Sequence, residues 1–180
     1  MSPPTTGRIS FSNRILRPIN RLRYTRQPSC IDRAKFFLDA GCDVLGVEGY
    51  ERAAQNSRIP RRVILHDYTS GSFIPDHDFD MAWSCEFVEH IDEKYLPNFF
   101  CTLDRVSCVF MTFAIPGQGG HHHVNEQEQA YWISRFGKYG FRYDEELTTC
   151  ARIIAIADRQ LVSPDYPSHF VEKGLVFLRG

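Results

Sequence analysis

No glycine stands between Gly7 and Gly41, so no turn built on paired glycines lies in that stretch. Residues 1–30 contain no aspartate or glutamate. No apolar run approaches the roughly 20 residues that span a bilayer, which argues against a membrane-spanning helix. The six cysteines (Cys30, Cys42, Cys85, Cys101, Cys108 and Cys150) form no C-x-x-C pair, which removes the usual thiol-redox and zinc spacings. Several fall in apolar segments and read as reduced, buried small hydrophobes. That composition fits a reducing compartment, here the cytoplasm.

Six arginines (Arg8, Arg14, Arg17, Arg21, Arg23 and Arg26) occupy the acid-free N-terminus. Residues 31–180 hold 15 Lys+Arg against 22 Asp+Glu, a formal charge of −7. The basic stretch reads as a disordered leader, an arm touching an anionic partner, or a transit peptide, which would make the protein organellar. The acidic remainder argues against a general nucleic-acid surface. At 180 residues and 43% hydrophobic, the chain suits one domain, residues 31–180, behind that leader.

From residue 31, short apolar strands alternate with helical stretches. Asp32–Asp39 reads as a helix stopped by Gly41. Strands are expected at Asp43–Gly49, Arg62–His66, Phe79–Cys85 and Val106–Ala114. Short helices are expected near Tyr50–Gln55 and Glu86–His90. A longer one is expected over Glu93–Arg105, with Pro97 in its first turns. Asn125 would cap the following helix, with Glu128 completing a capping-box variant, and that helix would stop near Gly140. Phe141–Tyr143 and Gly174–Leu178 read as strands, and Glu145–Ala157 mixes helical and strand character. Repeated βα units predict an α/β fold with a Rossmann-like, mostly parallel sheet and helices on both faces.

Three segments carry the chemistry. Glu48-Gly49 ends the first strand, where a carboxylate can accept the hydroxyls of a ribose and glycine admits the sugar. An ordinary solvated turn acid is the plain alternative. Asp67-Tyr68 repeats the pattern, although an Asp at a strand end often only closes a turn. Phe79-Asp80-Met81-Ala82-Trp83-Ser84-Cys85 runs into Glu86-Phe87-Val88-Glu89-His90, an E-x-x-E-H segment at a strand end.

The most informative stretch runs from Pro116 through Gly117-Gln118-Gly119-Gly120 to His121-His122-His123-Val124-Asn125. Three adjacent imidazoles at the carboxyl end of a strand can move a proton, hold an anion or bind a metal. Adjacent side chains on one extended segment do not easily converge on one ion, so no metal site is expected from the triplet. The plain alternative is a structural loop with one histidine capping the next helix.

In this order, the helix, V-L-G-V-E-G, the acid-ended strand and F-D-M-A-W-S-C-E-F-V-E-H-I resemble class I S-adenosylmethionine-dependent methyltransferases. The resemblance covers roughly residues 31–143. The P-G-Q-G-G-H-H-H-V-N loop with Tyr131-Trp132-Ile133 looks like a group of small methyltransferases, some of which methylate sugar hydroxyls. The resemblance implies that Glu48 holds the ribose of S-adenosylmethionine, with Gly49 close by. Asp67 would meet the adenine amine and Tyr68 would cover the ring. Cys85 and Glu86 would border the methionine end. His122 or His123 would act as general base on a hydroxyl of a small-molecule or glycan acceptor. Tyr131 and Trp132 would stack on a sugar face or, as at most such positions, serve the core.

The chain departs from that family at its start. The apolar first strand and D-x-G-x-G turn should fall near Pro28-Ser29-Cys30-Ile31, where there is no glycine. The preceding segment, around Pro18, is too basic for a central parallel strand. The expected sheet therefore lacks or replaces its first strand, through a degenerate copy or a non-native N-terminus. Weak cofactor binding and reduced stability are expected. The competing reading is a catalytically impaired, methyltransferase-like module that binds a partner, with the basic arm contributing.

Overall fold

The computed structural model describes residues 30–162 and 169–180. The expectations for the leader, and for a strand around Pro18, lie outside them. Helix α1 (Cys30–Asp39) stops as the glycine predicts. With Gly41 at φ 89°, the amides of Gly41 and Cys42 turn back onto the carbonyls of Leu38 and Phe37, each at 3.0 Å. This is a Schellman closure.

Strand β1 (Gly46–Glu48), helix α2 (Glu51–Gln55) and strand β2 (Val63–Leu65) form one βαβ unit. Its strands pair in parallel, Glu48 opposite Leu65. Strand β3 (Phe79–Ser84), helix α3 (Leu96–Thr102), strand β4 (Val106–Met111), helix α4 (Gln129–Lys138), strand β5 (Phe141–Tyr143), helices α5 (Glu145–Val162) and α6 (His169–Lys173), and strand β6 (Leu175–Arg179) complete the order. These strands build a second sheet, ordered β3-β4-β6-β5. The β3–β4 pair is parallel, while β6 runs antiparallel to both β4 and β5.

The architecture is thus α/β, but the sheet is mixed rather than mostly parallel, and it is split. Among the described residues no strand joins β1-β2 to β3-β4-β6-β5. The backbone groups along the facing edges have no ladder partner across the gap. Phe37 on α1 reaches across to Trp83 on β3, ring centroids 5.9 Å apart.

Alternation along the second sheet separates two cores. Val109, Met111, Leu175 and Phe177 face α3 and α4, where Leu96, Phe100, Trp132 and Phe136 are fully buried. Phe136 stacks on Phe177 at 4.1 Å. On the other face Val176 and Phe110 pack with Cys85, Trp83 and Phe170, backed by Ala151 and Ala155 of α5. Helices therefore cover both faces of this sheet.

Three local expectations change. The α4 helix starts at Gln129: the Asn125 side-chain oxygen accepts from the Gln127 side chain, and the amides of Asn125 and Gln127 go to the carbonyls of Glu89 and Ala114, so Asn125 caps no helix. Glu86–His90 is not an α-helix but a strained turn followed by a single 3-10 turn at Val88–His90. The Glu145–Ala157 stretch belongs wholly to α5. The cysteines are not uniformly buried: Cys85 is, but Cys42 and Cys150 are exposed, and all five described to the side chain are free. Among the described residues no helix is long and apolar enough to cross a membrane.

Candidate functional site

Beyond β3 the chain reverses at Glu86, a non-glycine residue at φ 53°. Such a conformation persists only where its surroundings impose it. Thr112, buried just after β4, supplies that constraint. Its hydroxyl accepts the Glu86 amide at 2.7 Å and donates to Glu86 Oε1 at 2.8 Å. The Thr112 amide in turn bonds the carbonyl of Ser84 at 3.2 Å. The Nδ1 of His169, on α6, lies 3.7 Å from the other carboxylate oxygen.

Three residues on, Glu89 joins the two halves of the site. Its carbonyl accepts the amides of Val124 and Asn125, at 2.9 and 3.1 Å, which pins the E-x-x-E-H segment to the His loop. Its side chain is 0% exposed, and neither carboxylate oxygen has a hydrogen-bond partner. Burial raises the Glu89 pKa to about 7, and repulsion from Glu86 adds to the rise. Nearby backbone amides and His123 act in the opposite direction but do not cancel it.

The His loop divides its three imidazoles. His121 and His122 are exposed, with ring centroids 4.0 Å apart, and His122 sits at φ 58°. His123 turns inward, its side chain 11% exposed. Its Nδ1 donates to Glu126 Oε1 at 3.0 Å, and the other Glu126 oxygen accepts the amide of Gly117 at 2.8 Å. The His123 bond, with amide bonds from Gly117 and Gly119, holds Glu126 below the ordinary glutamate range. Glu126 is therefore the anion and His123 Nδ1 the donor. Gly120 has a packing reason to be glycine. It lies at φ 154°, and a Cβ there would come within 2.5 Å of the His123 ring.

His90 completes the cluster. Its ring lies against that of His123, centroids 5.1 Å apart, and its Nδ1 meets the carbonyl of His122 at 3.2 Å. Candidate ligand atoms of Glu89, His90 and His123 all lie within 4.8 Å of one another. His123 parts from the other two imidazoles of the triplet, and the group it joins comes from two segments.

The split between the sheets is a cavity of about 1060 Å³ that runs the length of the gap between β1 and β3. At the carboxyl ends of the strands it brings together Glu48, Cys85, Glu86, Thr112, His90 and His123, with His121 at its mouth. Glu48 accepts the amide of Tyr50 at 2.9 Å and still borders this space. Tyr68 borders it too, as a core ring whose hydroxyl meets Thr102 at 2.9 Å. Burial raises its pKa.

Asp67, Gly49 and His122 do not border the cavity. Asp67 is exposed and closes a turn onto the amide of Thr69 at 2.8 Å, a bond that holds its pKa low. Gly49 packs near the carbonyl of His66, which a Cβ would approach to 3.5 Å. His122 takes part through its backbone carbonyl, with its ring in solvent. Trp132 is core, and Tyr131 is half-buried beneath the Arg135 guanidinium at 5.0 Å.

Sequence reasoning assigned no role to Glu89, His90, Thr112 or Glu126. The E-x-x-E-H spacing flagged the first two, and a carboxylate three residues past His123 was a usable signal for Glu126. Nothing local marks Thr112. No protein-family model matches the chain, and a search of curated proteins finds no match.

Proposed function

We propose that the chain is a class I-type, S-adenosylmethionine-dependent methyltransferase whose Rossmann-like sheet is interrupted beside β1. Its acceptor would be a hydroxyl on a sugar or another small molecule. The observation that carries this reading is the meeting of Glu48, Cys85, Glu86 and His123 on one cavity at the carboxyl ends of β1, β3 and β4. Open α/β sheets bind their ligands in that crevice. The residues fit such a cofactor in part. Glu48 offers a carboxylate for ribose hydroxyls, and the cavity has ample volume, but no glycine turn supports the amino-acid end.

When bound, the cofactor supplies an electrophilic methyl group. The chain's own residues do the rest. Thr112 holds Glu86 in place beside Cys85, and Glu126 fixes the His123 ring so that its Nε2 is left for the acceptor side. The acceptor hydroxyl would be activated where Glu89, His90 and His123 meet.

Calorimetric titration with S-adenosylmethionine tests this reading. We expect a Kd between about 10 μM and 1 mM, weakened by Glu48→Ala and competed by S-adenosylhomocysteine. His123→Ala should remove turnover while leaving cofactor affinity near wild type. No binding at millimolar concentration would overturn the reading. It would favour the alternative, a catalytically impaired methyltransferase-like module that binds a partner, which the missing glycine turn supports.

A further inference from the structure

We infer that Glu89, His90 and His123 form a binding site for a divalent first-row transition-metal ion such as zinc, open toward the cavity. The donor set is two imidazoles and one carboxylate, which suits such ions better than magnesium or calcium. Three protein ligands with a free position is the arrangement of a catalytic rather than a structural site.

Both histidines are already oriented. His123 gives its Nδ1–H to Glu126 and His90 directs Nδ1 to the carbonyl of His122, so each leaves Nε2 for an ion. Carboxylate and carbonyl partners of this kind fix the tautomer of metal-binding histidines. Glu89 is the independent sign of a ligand. It is a fully buried carboxylate with both oxygens unpartnered, pointed at two imidazoles. A buried carboxylate without a partner is costly, and a cation between these groups would meet that need. Donor atoms around an ion at about 2.1 Å lie roughly 3 to 3.5 Å apart. One candidate ligand atom from each residue lies within 4.8 Å of the others, so binding an ion requires a side-chain rotation to close that spacing. His90, exposed at the rim, has the freedom to make it.

The site stands by itself; only the role of the ion rests on the methyltransferase reading. An acceptor hydroxyl on the open position would have its pKa lowered and release its proton to solvent. The alkoxide oxygen then forms the new O–C bond as the S–C bond of a sulfonium methyl donor breaks. The products are a methyl ether and a neutral thioether, with no change in the oxidation state of the ion. His123 would then act as a ligand, not as the general base.

The test is zinc titration of the EDTA-stripped full-length chain by calorimetry, without any methyl donor. One equivalent should bind. Glu89→Gln, His90→Ala and His123→Ala should each weaken binding by at least about tenfold. A His121→Ala/His122→Ala double variant should bind as wild type. Because His90 is exposed, its variant is expected to fold, with circular dichroism as the check. Cobalt titration should give d–d bands without a thiolate charge-transfer band. Absence of binding, affinity that follows His121 and His122, or a cobalt–thiolate band from the cysteines would each overturn the site. Failure to bind S-adenosylmethionine would leave the zinc result intact and remove only the role given to the ion.

Discussion

Glu126 holds the imidazole of His123 through Nδ1 at 3.0 Å while its second oxygen takes the amide of Gly117 at 2.8 Å. One carboxylate thus closes the glycine loop and aims the one inward histidine. Glu126→Ala should remove both bonds. Hydrogen exchange at the Gly117 amide should speed up at least about tenfold, with the Val109 amide unchanged, and zinc affinity should fall about 10- to 100-fold. An unchanged Gly117 rate would show that the loop is held by other means.

Gly120→Ala would place a Cβ where the His123 ring now lies, at a backbone angle that side chains rarely adopt. The expected cost is about 1 to 3 kcal/mol in chemical denaturation, with loss of zinc binding. Gly117→Ala meets no atom within 4 Å, although it shares a positive φ. It should cost stability through backbone strain alone and leave His123 in place.

Glu89 sets a pH dependence of unusual sign. Its carboxyl titrates near 4.5 in the unfolded chain and at about 7 in the fold, where Glu86, His90 and His123 surround it. Between those values the folded state holds the extra proton. The metal-free protein should therefore lose stability as pH rises from about 4.5 to about 7, by of order 3 kcal/mol, then level off. Asp67, Asp144 and Glu126, whose pKa values are lowered, act the other way and only in more acidic solution. Urea midpoints across that range, compared with Glu89→Gln, test this. A profile that the substitution leaves unchanged would refute the assignment.

Thr112→Val keeps the shape of a fully buried side chain and removes the hydroxyl that fixes Glu86. Losing the Thr112 hydroxyl's bonds to the Glu86 amide and carboxylate should cost about 1 to 3 kcal/mol. The strained turn should relax, and ligand affinity in the cavity should fall with it. Differential scanning calorimetry with and without S-adenosylmethionine separates the two effects.

Phe177 lies at the centre of the larger core, stacked on Phe136 and flanked by Tyr143. Phe177→Ala should cost about 3 to 5 kcal/mol, enough to unfold a marginal domain at 37 °C. Near-ultraviolet circular dichroism should lose its aromatic signal.

What the sequence made legible was local. Gly41 ends α1 because a left-handed residue is needed there, and Pro97 sits in the first turn of α3, where its missing amide costs nothing. Asn125 looked like a helix cap because its type and spacing suit one; the carbonyl of Glu89, distant in sequence, takes its amide instead. The β-branched run Ile153-Ile154 blurred α5. The insertion of β6 between β4 and β5 depends on pairing that no period encodes. In the site, the sequence pointed to the His loop and to His122 or His123, but not to which of the two turns inward. That choice rests on Glu126, Gly120 and a carboxylate reached only through the fold.

The divided sheet would make any occupant of the cavity a part of the architecture. A pair of three-residue strands has little stability alone, so the β1-β2 unit and the larger sheet can open as separate cooperative blocks. A molecule seated between them couples the blocks, adding about 2.7 kcal/mol at a hundredfold excess over its Kd. Melting in two steps when empty and in one when filled would mark that coupling. Under the proposed reading, recognising a ligand and completing the fold would be the same event.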